Sequence, residues 1–164
     1  MYRVLIGLGS NLDSPVHQIK TSIERISSHA CISMVKCSSF YESLPQGPQD
    51  QNSFINAVIA LDTELEPAAL LAFLQSIEQS QGRIKTRHWG ERTIDLDILF
   101  IENQIVDIQL PDLIIPHPHA LTRDFVLIPA LEIAPDWRLP DGTLLSAALS
   151  NCLKHDLKKC VLPD

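Results

Sequence analysis

The sequence has few cysteines, no long apolar run and no excess of positive charge, and each absence excludes a class of protein. Its four cysteines have no C-x-x-C spacing. This excludes a disulfide-rich secreted domain and makes a Cys/His zinc site the less favoured alternative to reduced thiols. No apolar run approaches the roughly 20 residues that cross a bilayer, and the chain begins Met1-Tyr2-Arg3 without a secretory signal. We therefore expect a cytoplasmic protein that does not bind a membrane.

The charge balance also limits the partners. The net charge is −7, from 13 Lys and Arg against 20 Asp and Glu. Duplex nucleic acid usually requires a broad basic face, so we expect no nucleic-acid partner. The chain has 164 residues, 45% apolar and 20% charged, without a repeat or a linker. That composition is typical of one globular domain over residues 1–164, and we expect it to act as a monomer.

Two familiar nucleotide-binding fingerprints are missing as well. The chain contains no G-x-x-x-x-G-K-[ST] loop, and Gly7-x-Gly9 lacks the third glycine of a dinucleotide fingerprint. Neither a P-loop NTPase nor a Rossmann domain is therefore indicated.

Two carboxylates stand two residues apart in the apolar run over residues 92–100. Because successive strand residues point to opposite faces, Asp95 and Asp97 are predicted to project from one face. The opposite face is predicted to carry Ile94, Leu96, Ile98 and Phe100. Carboxylates this close repel each other unless a cation lies between them, and Mg²⁺ is the usual oxygen-bound cation. Taken alone, such a pair is more often a solvated strand face.

A basic segment precedes the pair. Residues 82–92 carry one acid and four permanent cations, Arg83, Lys85, Arg87 and Arg92, and the first three cations lie between glycines at positions 82 and 90. Alone it could be a solvated lid. Beside a metal-binding pair, its cations suit phosphate oxygens, and the combination indicates phosphoryl transfer.

Three other signals have a bland and a functional interpretation. Phe54 and Asn56 share one face of a predicted strand and would suit a planar heterocycle, although a half-exposed strand face is the simpler interpretation. Trp89 is either an anchor for the basic segment or a lid over a flat ligand. His117 and His119 could bind a metal, but a rigid loop with hydrogen-bonding histidines is favoured.

Periodicity and turn residues predict the order of elements. The predicted strands span residues 4–8, 32–41, 54–63 and 93–101, and the predicted helices span residues 15–28 and 67–81. The order strand, helix, strand, strand, helix, strand is the split βαβ order of a ferredoxin-like α+β domain, with an antiparallel sheet and helices packed on it.

Four details accompany that prediction. Ser14 is expected to cap the first helix, and residues 44–52 are expected to form a long loop. A hairpin is expected after residue 101, with a partner strand from about Ile105. C-terminal helices are expected over residues 125–133 and from Leu144.

Several motifs together resemble one family, the 6-hydroxymethyl-7,8-dihydropterin pyrophosphokinases of folate biosynthesis. The motifs occur in order from about residue 4 to residue 142. They are Gly9-Ser10-Asn11-Leu12, Gly47-Pro48-Gln49-Asp50-Gln51 with Phe54-Ile55-Asn56, Gln81-Gly82-Arg83, Trp89-Gly90-x-Arg92-Thr93-Ile94-Asp95-Leu96-Asp97, Pro116-His117-Pro118 with Arg123-x-Phe125, and Glu132-Ile133-Ala134-Pro135.

The resemblance implies transfer of pyrophosphate from ATP to the pterin hydroxymethyl group, with release of AMP. It implies two Mg²⁺ ions held by Asp95 and Asp97, and catalytic roles for Arg83 and Arg92 in stabilising charge during an in-line attack on the β-phosphorus. The implied pterin pocket consists of Ser43, Leu44, Gln46, Phe54, Asn56 and Phe125. The implied ATP-binding residues are Leu71, Gln75, Glu78, Lys85, Trp89, Arg92, Ile98, His117 and Arg123.

The chain departs from the family pattern in a few places. Phe54 stands where tyrosine is common, Leu44 replaces a frequent proline, and Glu91 replaces the proline of Trp-Gly-Pro-Arg. The segment between Arg83 and Trp89 is one residue shorter, which leaves open whether Lys85 or Arg87 reaches the phosphates. Two rival functions remain: a non-catalytic ligand-binding module, and a Mg²⁺-dependent phosphohydrolase.

Overall fold

The strands and helices follow the predicted order. A computed structural model describes residues 1–12, 14–44, 52–82, 93–152, 154 and 157–160. Its first elements are β1 Tyr2–Ser10, α1 Pro15–Ser27, β2 Ile32–Cys37, β3 Tyr41–Ser43, β4 Phe54–Thr63, α2 Pro67–Ser80 and β5 Asp95–Ile101. They are followed by β6 Val106–Gln109, β7 Asp112–Ile115, a 3-10 turn Ala120–Thr122, α3 Asp124–Ile133, a 3-10 helix Leu145–Asn151 and β8 Lys158–Lys159.

The main sheet is antiparallel, with β1 and β4 at its centre. Within the described residues its order is β5-β1-β4-β3-β8. β2 pairs with the second half of β4, on the same edge where β3 pairs with its first three residues. This is the split βαβ arrangement that the sequence predicts. Among the strands that the structure describes, β5 lies at one edge of the main sheet, so a ligand can approach it from the side.

Helices cover both faces of the sheet, because both faces of its central strands are apolar. Val4, Ile6 and Leu8 of β1 belong to a core that α1 and α2 cover. Leu5 and Val58 belong to a second core, under α3 and the 3-10 helix near the C-terminus. The two sides therefore present different surroundings to the residues of β4 and β5.

A β-bulge corrects the predicted face of Phe100. Ile6 pairs with Ile98, but Leu5 pairs with Phe100, so Leu99 is an extra residue in β5. Such an insertion moves the next side chain to the other face. Phe100 therefore packs in the second core beside Leu99, whereas Leu96 and Ile98 lie in the first, as predicted.

The start of α1 is as predicted, but its cap is not. Ser14 is the N-cap residue, followed by Pro15 at the first helical position. Its backbone is left-handed, with φ 62°, and its hydroxyl makes no capping hydrogen bond. The capping role predicted for the Ser14 side chain is wrong, because this backbone conformation differs from the extended one in which a serine cap bonds the first turn.

Two C-terminal expectations also need correction. The strand from residue 106 pairs with β7 and not with β5, because residues 102–104 turn the chain away from the sheet and a second turn follows Gln109. The helix expected from Leu144 is a 3-10 helix of seven residues. Since Leu145 is its buried residue, it has too narrow an apolar face to stabilise a longer α-helix.

Two predictions of loops fall mostly outside the described residues. The undescribed residues are 45–51 in the expected loop over residues 44–52, and 83–92 in the basic segment. Among the helices that the structure describes, none has the length and apolar character needed to cross a membrane.

Candidate active site

Asp95 of the acidic pair and Asn56 lie on the same face of the sheet, on either side of a strand that has no side chain between them. In the sheet register Gly9 of β1 lies opposite Asp95 of β5 on one side and opposite Asn56 of β4 on the other. Opposed residues of an antiparallel pair project to the same face. Asp95, Gly9 and Asn56 therefore form a row across three strands, about 10 Å from end to end.

The second glycine of β1 occupies the next position of the same face. Gly7 lies opposite Asp97 and Val58. A Cβ atom at Gly7 would lie 3.2 Å from Leu99 Cδ1, whereas a Cβ at Gly9 would lie 3.4 Å from Asn56 Oδ1. The missing side chain at Gly7 thus makes room for the buried side chain of Leu99. The missing side chain at Gly9 leaves open space beside the polar side chain of Asn56.

Asp95 and Asp97 are accessible to a ligand. Asp95 is half-buried and Asp97 is exposed. No cluster of three or more His, Cys, Asp or Glu side chains suited to a metal occurs within the described part of the chain. Two adjacent carboxylates suit Mg²⁺, which is commonly held by one or two carboxylates and takes its other ligands from phosphates and water.

Arg123 supplies positive charge to this acidic pair. Burial lowers the pKa of Arg123, while the carboxylates of Asp97 and Asp95 raise it. Its guanidinium carbon lies 5.7 Å from the centre of the Phe125 ring, a cation–π distance. Arg123 therefore interacts both with the acidic pair and with one of the two aromatic rings predicted to contact the pterin.

The Asn56 side chain is buried and oriented. It is 6% exposed, and its Nδ2 donates a hydrogen bond of 2.7 Å to Ser43 Oγ. Val58 and Ala60 on the same face of β4 are buried in the core under α3. From Asn56 onward this face of β4 is therefore buried, and its simpler interpretation as half-exposed is wrong. Phe54, at the start of the strand, is half-buried, and Leu44, which follows β3, is 49% exposed.

Two polar residues after β1 fix the segments that lead to the site. The Ser10 hydroxyl donates a hydrogen bond to the carbonyl of Thr93, just before β5. Asn11 Nδ2 donates one of 3.0 Å to the carbonyl of Asn52, just before β4. Both residues are fully buried, so this motif positions the strands that carry Asp95 and Asn56.

A cavity of about 220 Å³ lies at the outer edge of β5. Three of the predicted ATP-binding residues line it: Leu71 of α2, Ile98 of β5, and His117. Asp97 also lines it, so one carboxylate of the acidic pair forms part of the cavity wall. The sequence does not reveal the other residues that line the cavity, because they meet only when the β6–β7 hairpin folds back beside β5. They are Leu96, Asp112, Leu113, Ile114 and Pro118.

His117 is held in its neutral form. Burial, followed by the charge of Arg123, lowers the pKa of His117 to about 4. Its Nδ1 accepts a hydrogen bond of 3.1 Å from the backbone N–H of His119, so the ring proton resides on Nε2. The predicted rigid loop is supported, because the backbone N–H of His117 also donates to the carbonyl of Leu99 at 2.9 Å.

The two other predicted ATP residues of α2 lie in different surroundings. Gln75 is exposed. Glu78 is 5% exposed, and its Oε2 accepts a hydrogen bond of 2.9 Å from the backbone N–H of Leu96. Glu78 therefore fixes the edge strand between the two aspartates, and a direct contact with ATP stays a prediction for both residues.

The remaining predicted site residues lie outside the described part of the chain. They are Gln46, Arg83, Lys85, Trp89 and Arg92.

The sequence profile of the 7,8-dihydro-6-hydroxymethylpterin-pyrophosphokinase family, abbreviated HPPK, matches residues 5–135. The chain belongs to this family. The 2-amino-4-hydroxy-6-hydroxymethyldihydropteridine pyrophosphokinase of Haemophilus influenzae is 45% identical over 159 residues, which cover 97% of this chain and 98% of that protein. The folic acid synthesis protein fol1 of Pneumocystis carinii is 42% identical over 161 residues, which make up 98% of this chain and 21% of that longer protein.

Solved structures of HPPK-DHPS proteins have the same fold. One, crystallised in complex with substrates, superposes on 91% of this chain with a TM-score of 0.69, at 14% identity and over 43% of its own length. At that identity the likeness concerns the fold alone. It confirms the ferredoxin-like α+β fold of this member of the HPPK family.

Proposed function

We propose that this protein transfers the pyrophosphoryl group of ATP to the hydroxymethyl group of 6-hydroxymethyl-7,8-dihydropterin, with release of AMP, as a step in folate biosynthesis. The observation that supports this function is the row of Asp95, Gly9 and Asn56, in which one carboxylate of the acidic pair and an amide lie on either side of a strand with no side chain between them. Transfer of a phosphoryl group between two bound substrates requires their sites to lie at neighbouring positions.

The pterin is bound at the Asn56 end of the row. Asn56 has Oδ1 on the side of Gly9, while Ser43 receives its amide N–H, so the amide cannot rotate without losing a hydrogen bond. An oriented amide can pair with the donor and acceptor edge of a pterin. Phe54 and Phe125 contribute the aromatic faces that hold the ring between them, and Leu44 and Gln46 complete the pocket.

ATP is bound at the other end, in the cavity beside β5. Leu71 and Ile98 supply apolar contacts, and the Nε2–H of neutral His117 supplies a donor. Gln75, Glu78, Lys85 and Trp89 complete the nucleotide site. Arg83, Arg92 and Arg123 bind the triphosphate, and Arg83 and Arg92 stabilise the charge that develops during transfer.

Asp95 and Asp97 hold two Mg²⁺ ions in this proposal. When bound, these ions neutralise the triphosphate and lower the pKa of the attacking hydroxyl. The protein's own contribution is alignment: the row across the sheet brings the hydroxymethyl group and the β-phosphorus together for an in-line displacement.

The proposal is tested by incubating the protein with ATP, Mg²⁺ and the pterin alcohol and separating the nucleotides by chromatography. We expect AMP and pterin pyrophosphate in equal amounts. Phosphate released without the pterin would identify a phosphohydrolase instead. No turnover, with binding retained, would identify a ligand-binding module.

The metal role has its own test. Asp97→Ala should abolish AMP formation while leaving the thermal transition nearly unchanged, because Asp97 is exposed. Asp107→Ala, at another exposed strand position, is the matched control and should retain activity. Once all of the ATP is bound to Mg²⁺, a second ion at the site requires that the rate of AMP formation rise further as the concentration of free Mg²⁺ increases. A rate that is constant beyond that point would contradict two ions.

We propose that residues 1–164 act as one domain, as a monomer and in the cytoplasm. Light scattering coupled to size exclusion measures the molar mass, and a dimer mass at micromolar concentration would contradict the monomer.

A further inference from the structure

Glu132, in the last turn of α3, receives several hydrogen bonds from one short segment. The backbone N–H of Ser39 donates to its two carboxylate oxygens at 3.1 and 3.0 Å, and the Ser39 hydroxyl donates at 2.9 Å. The Tyr41 hydroxyl donates to Oε1 at 2.5 Å. A single carboxylate thus joins α3 to the connection between β2 and β3.

The segment that Glu132 binds is irregular. The N–H of Ser38 donates to the carbonyl of Val58 at 2.9 Å, and Tyr41 is the next residue to pair, with Asn56. Two residues, 39 and 40, therefore lie opposite the single residue Ala57. The amide of Ser39 turns toward α3, where Glu132 accepts its hydrogen.

The charge states suit a lasting contact. Burial raises the pKa of Glu132, but hydrogen bonds from Tyr41 and Ser39 and the charge of Lys159 outweigh burial and hold this pKa below its ordinary value. Burial, and then the bond to Glu132, raises the pKa of Tyr41 to about 12. The acceptor is therefore ionised and the donor protonated throughout the neutral range.

The two ends of this contact carry opposite walls of the proposed pterin pocket. β3 contributes Ser43, the acceptor of the Asn56 amide, and Tyr41 is the cross-strand neighbour of Asn56. α3 contributes Phe125 in its first turn. The distance between the amide edge and the aromatic face therefore depends on how α3 is joined to β3.

We propose that Glu132 is a positioning residue for the pterin: by binding Ser39 and Tyr41 it sets the spacing between the amide wall on β3 and Phe125 on α3. Glu132 does not touch the reacting atoms and acts through these two elements. This inference rests on the proposed function, because it assigns the pterin to that pocket.

The chain offers a matched control in a second tyrosine–glutamate hydrogen bond. The Tyr2 hydroxyl donates to Glu66 Oε2 at 2.9 Å. Tyr2 pairs with Thr63 at the far end of β4, about 24 Å along the strand from Asn56. The same substitutions there remove the same kind of bond without touching the pocket.

Four variants carry the test: Glu132→Gln and Tyr41→Phe, with Glu66→Gln and Tyr2→Phe as controls. KM for the pterin is measured at saturating ATP, KM for ATP at saturating pterin, and the dissociation constant of the pterin by fluorescence without turnover. We expect pterin KM to rise about five- to tenfold in Glu132→Gln and about two- to fivefold in Tyr41→Phe, a range that matches the loss of an ordinary hydrogen bond. KM for ATP and kcat at saturation should stay within about twofold.

The controls decide between positioning and simple stabilisation. Both controls should lower the thermal transition without changing pterin KM. A Glu132→Gln variant that loses stability but keeps its pterin KM, or whose KM for both substrates rises equally, would overturn the inference. If Glu132→Gln does not fold, Tyr41→Phe alone decides, since it keeps the ring and deletes one bond. An unmodified protein that makes no AMP would instead refute the proposed function.

Discussion

Replacing Gly9 by alanine adds one methyl group to the open space between Asp95 and Asn56, and should stabilise the fold while weakening the enzyme. The added Cβ would lie 3.4 Å from Asn56 Oδ1 and 3.9 Å from the carbonyl of Ile55, both ordinary contacts. Alanine reduces the freedom of the unfolded chain, so the free energy of unfolding should rise by about 0.4–1 kcal/mol.

The same methyl group occupies space that the pterin needs. An additional methyl group in a closely packed space costs about 1–3 kcal/mol, and 1.4 kcal/mol corresponds to a factor of ten. The kcat/KM for the pterin should therefore fall at least about fivefold, while KM for ATP stays unchanged. Steady-state kinetics with each substrate varied in turn, beside urea denaturation, measures both effects.

Gly7→Ala is the matched control, and it should lower the stability of the fold without weakening the enzyme. Its Cβ would lie 3.2 and 3.3 Å from the two methyl carbons of Leu99, a side chain that is 2% exposed. The core must shift to admit it, so we expect a loss of about 1 kcal/mol of stability with pterin kcat/KM unchanged. If Gly9→Ala retained full activity, the pterin would not bind over the space between Asp95 and Asn56, and its assignment to that part of the sheet would be refuted.

Three further outcomes are expected. Arg83→Ala should lower kcat far more than it raises KM for ATP; a change in KM alone would mean ground-state binding. Phe125→Leu should raise the dissociation constant of the pterin about tenfold by removing one aromatic face, with ATP binding as the internal control. Because the pKa of His117 is lowered to about 4, the unfolded chain binds a proton first, so stability should fall as pH falls from about 6.5 to about 4. His117→Gln should flatten that dependence by up to about 3 kcal/mol in urea titrations, and an unchanged slope would contradict the assignment.

The features that sequence predicted well are those set by local periodicity. Asp95 and Asp97 lie on one face because a strand alternates with a period of two, and β4 has the predicted bounds, Phe54–Thr63. Gly82, with φ +81°, follows the end of α2 as predicted. Each of these depends on neighbours within a few residues.

The features that sequence failed to predict depend on distant partners. The bulge at Leu99 arises where β5 meets Leu5 and Ile6, about 90 residues earlier in the chain, so nothing in the run around Phe100 reveals it. Asp112 reaches the cavity only through the fold of the β6–β7 hairpin. Glu132 belonged to a recognised motif, but its bonds to Ser39 and Tyr41 require the tertiary structure.

The placement of α3 explains why residues so far apart in sequence meet at one site. Its ten residues span about 15 Å, and three strand spacings from β5 to β3 span about 14 Å. Arg123 at one end interacts with the acidic pair of β5, and Glu132 at the other end binds β3. The side chains at its two ends therefore link β5 to β3, and the helix between them packs against β4. A change at the Glu132 end should therefore act on the pterin pocket beside β3, whereas a change at the Arg123 end should act on the acidic pair of β5 and so on the alignment that an in-line transfer needs.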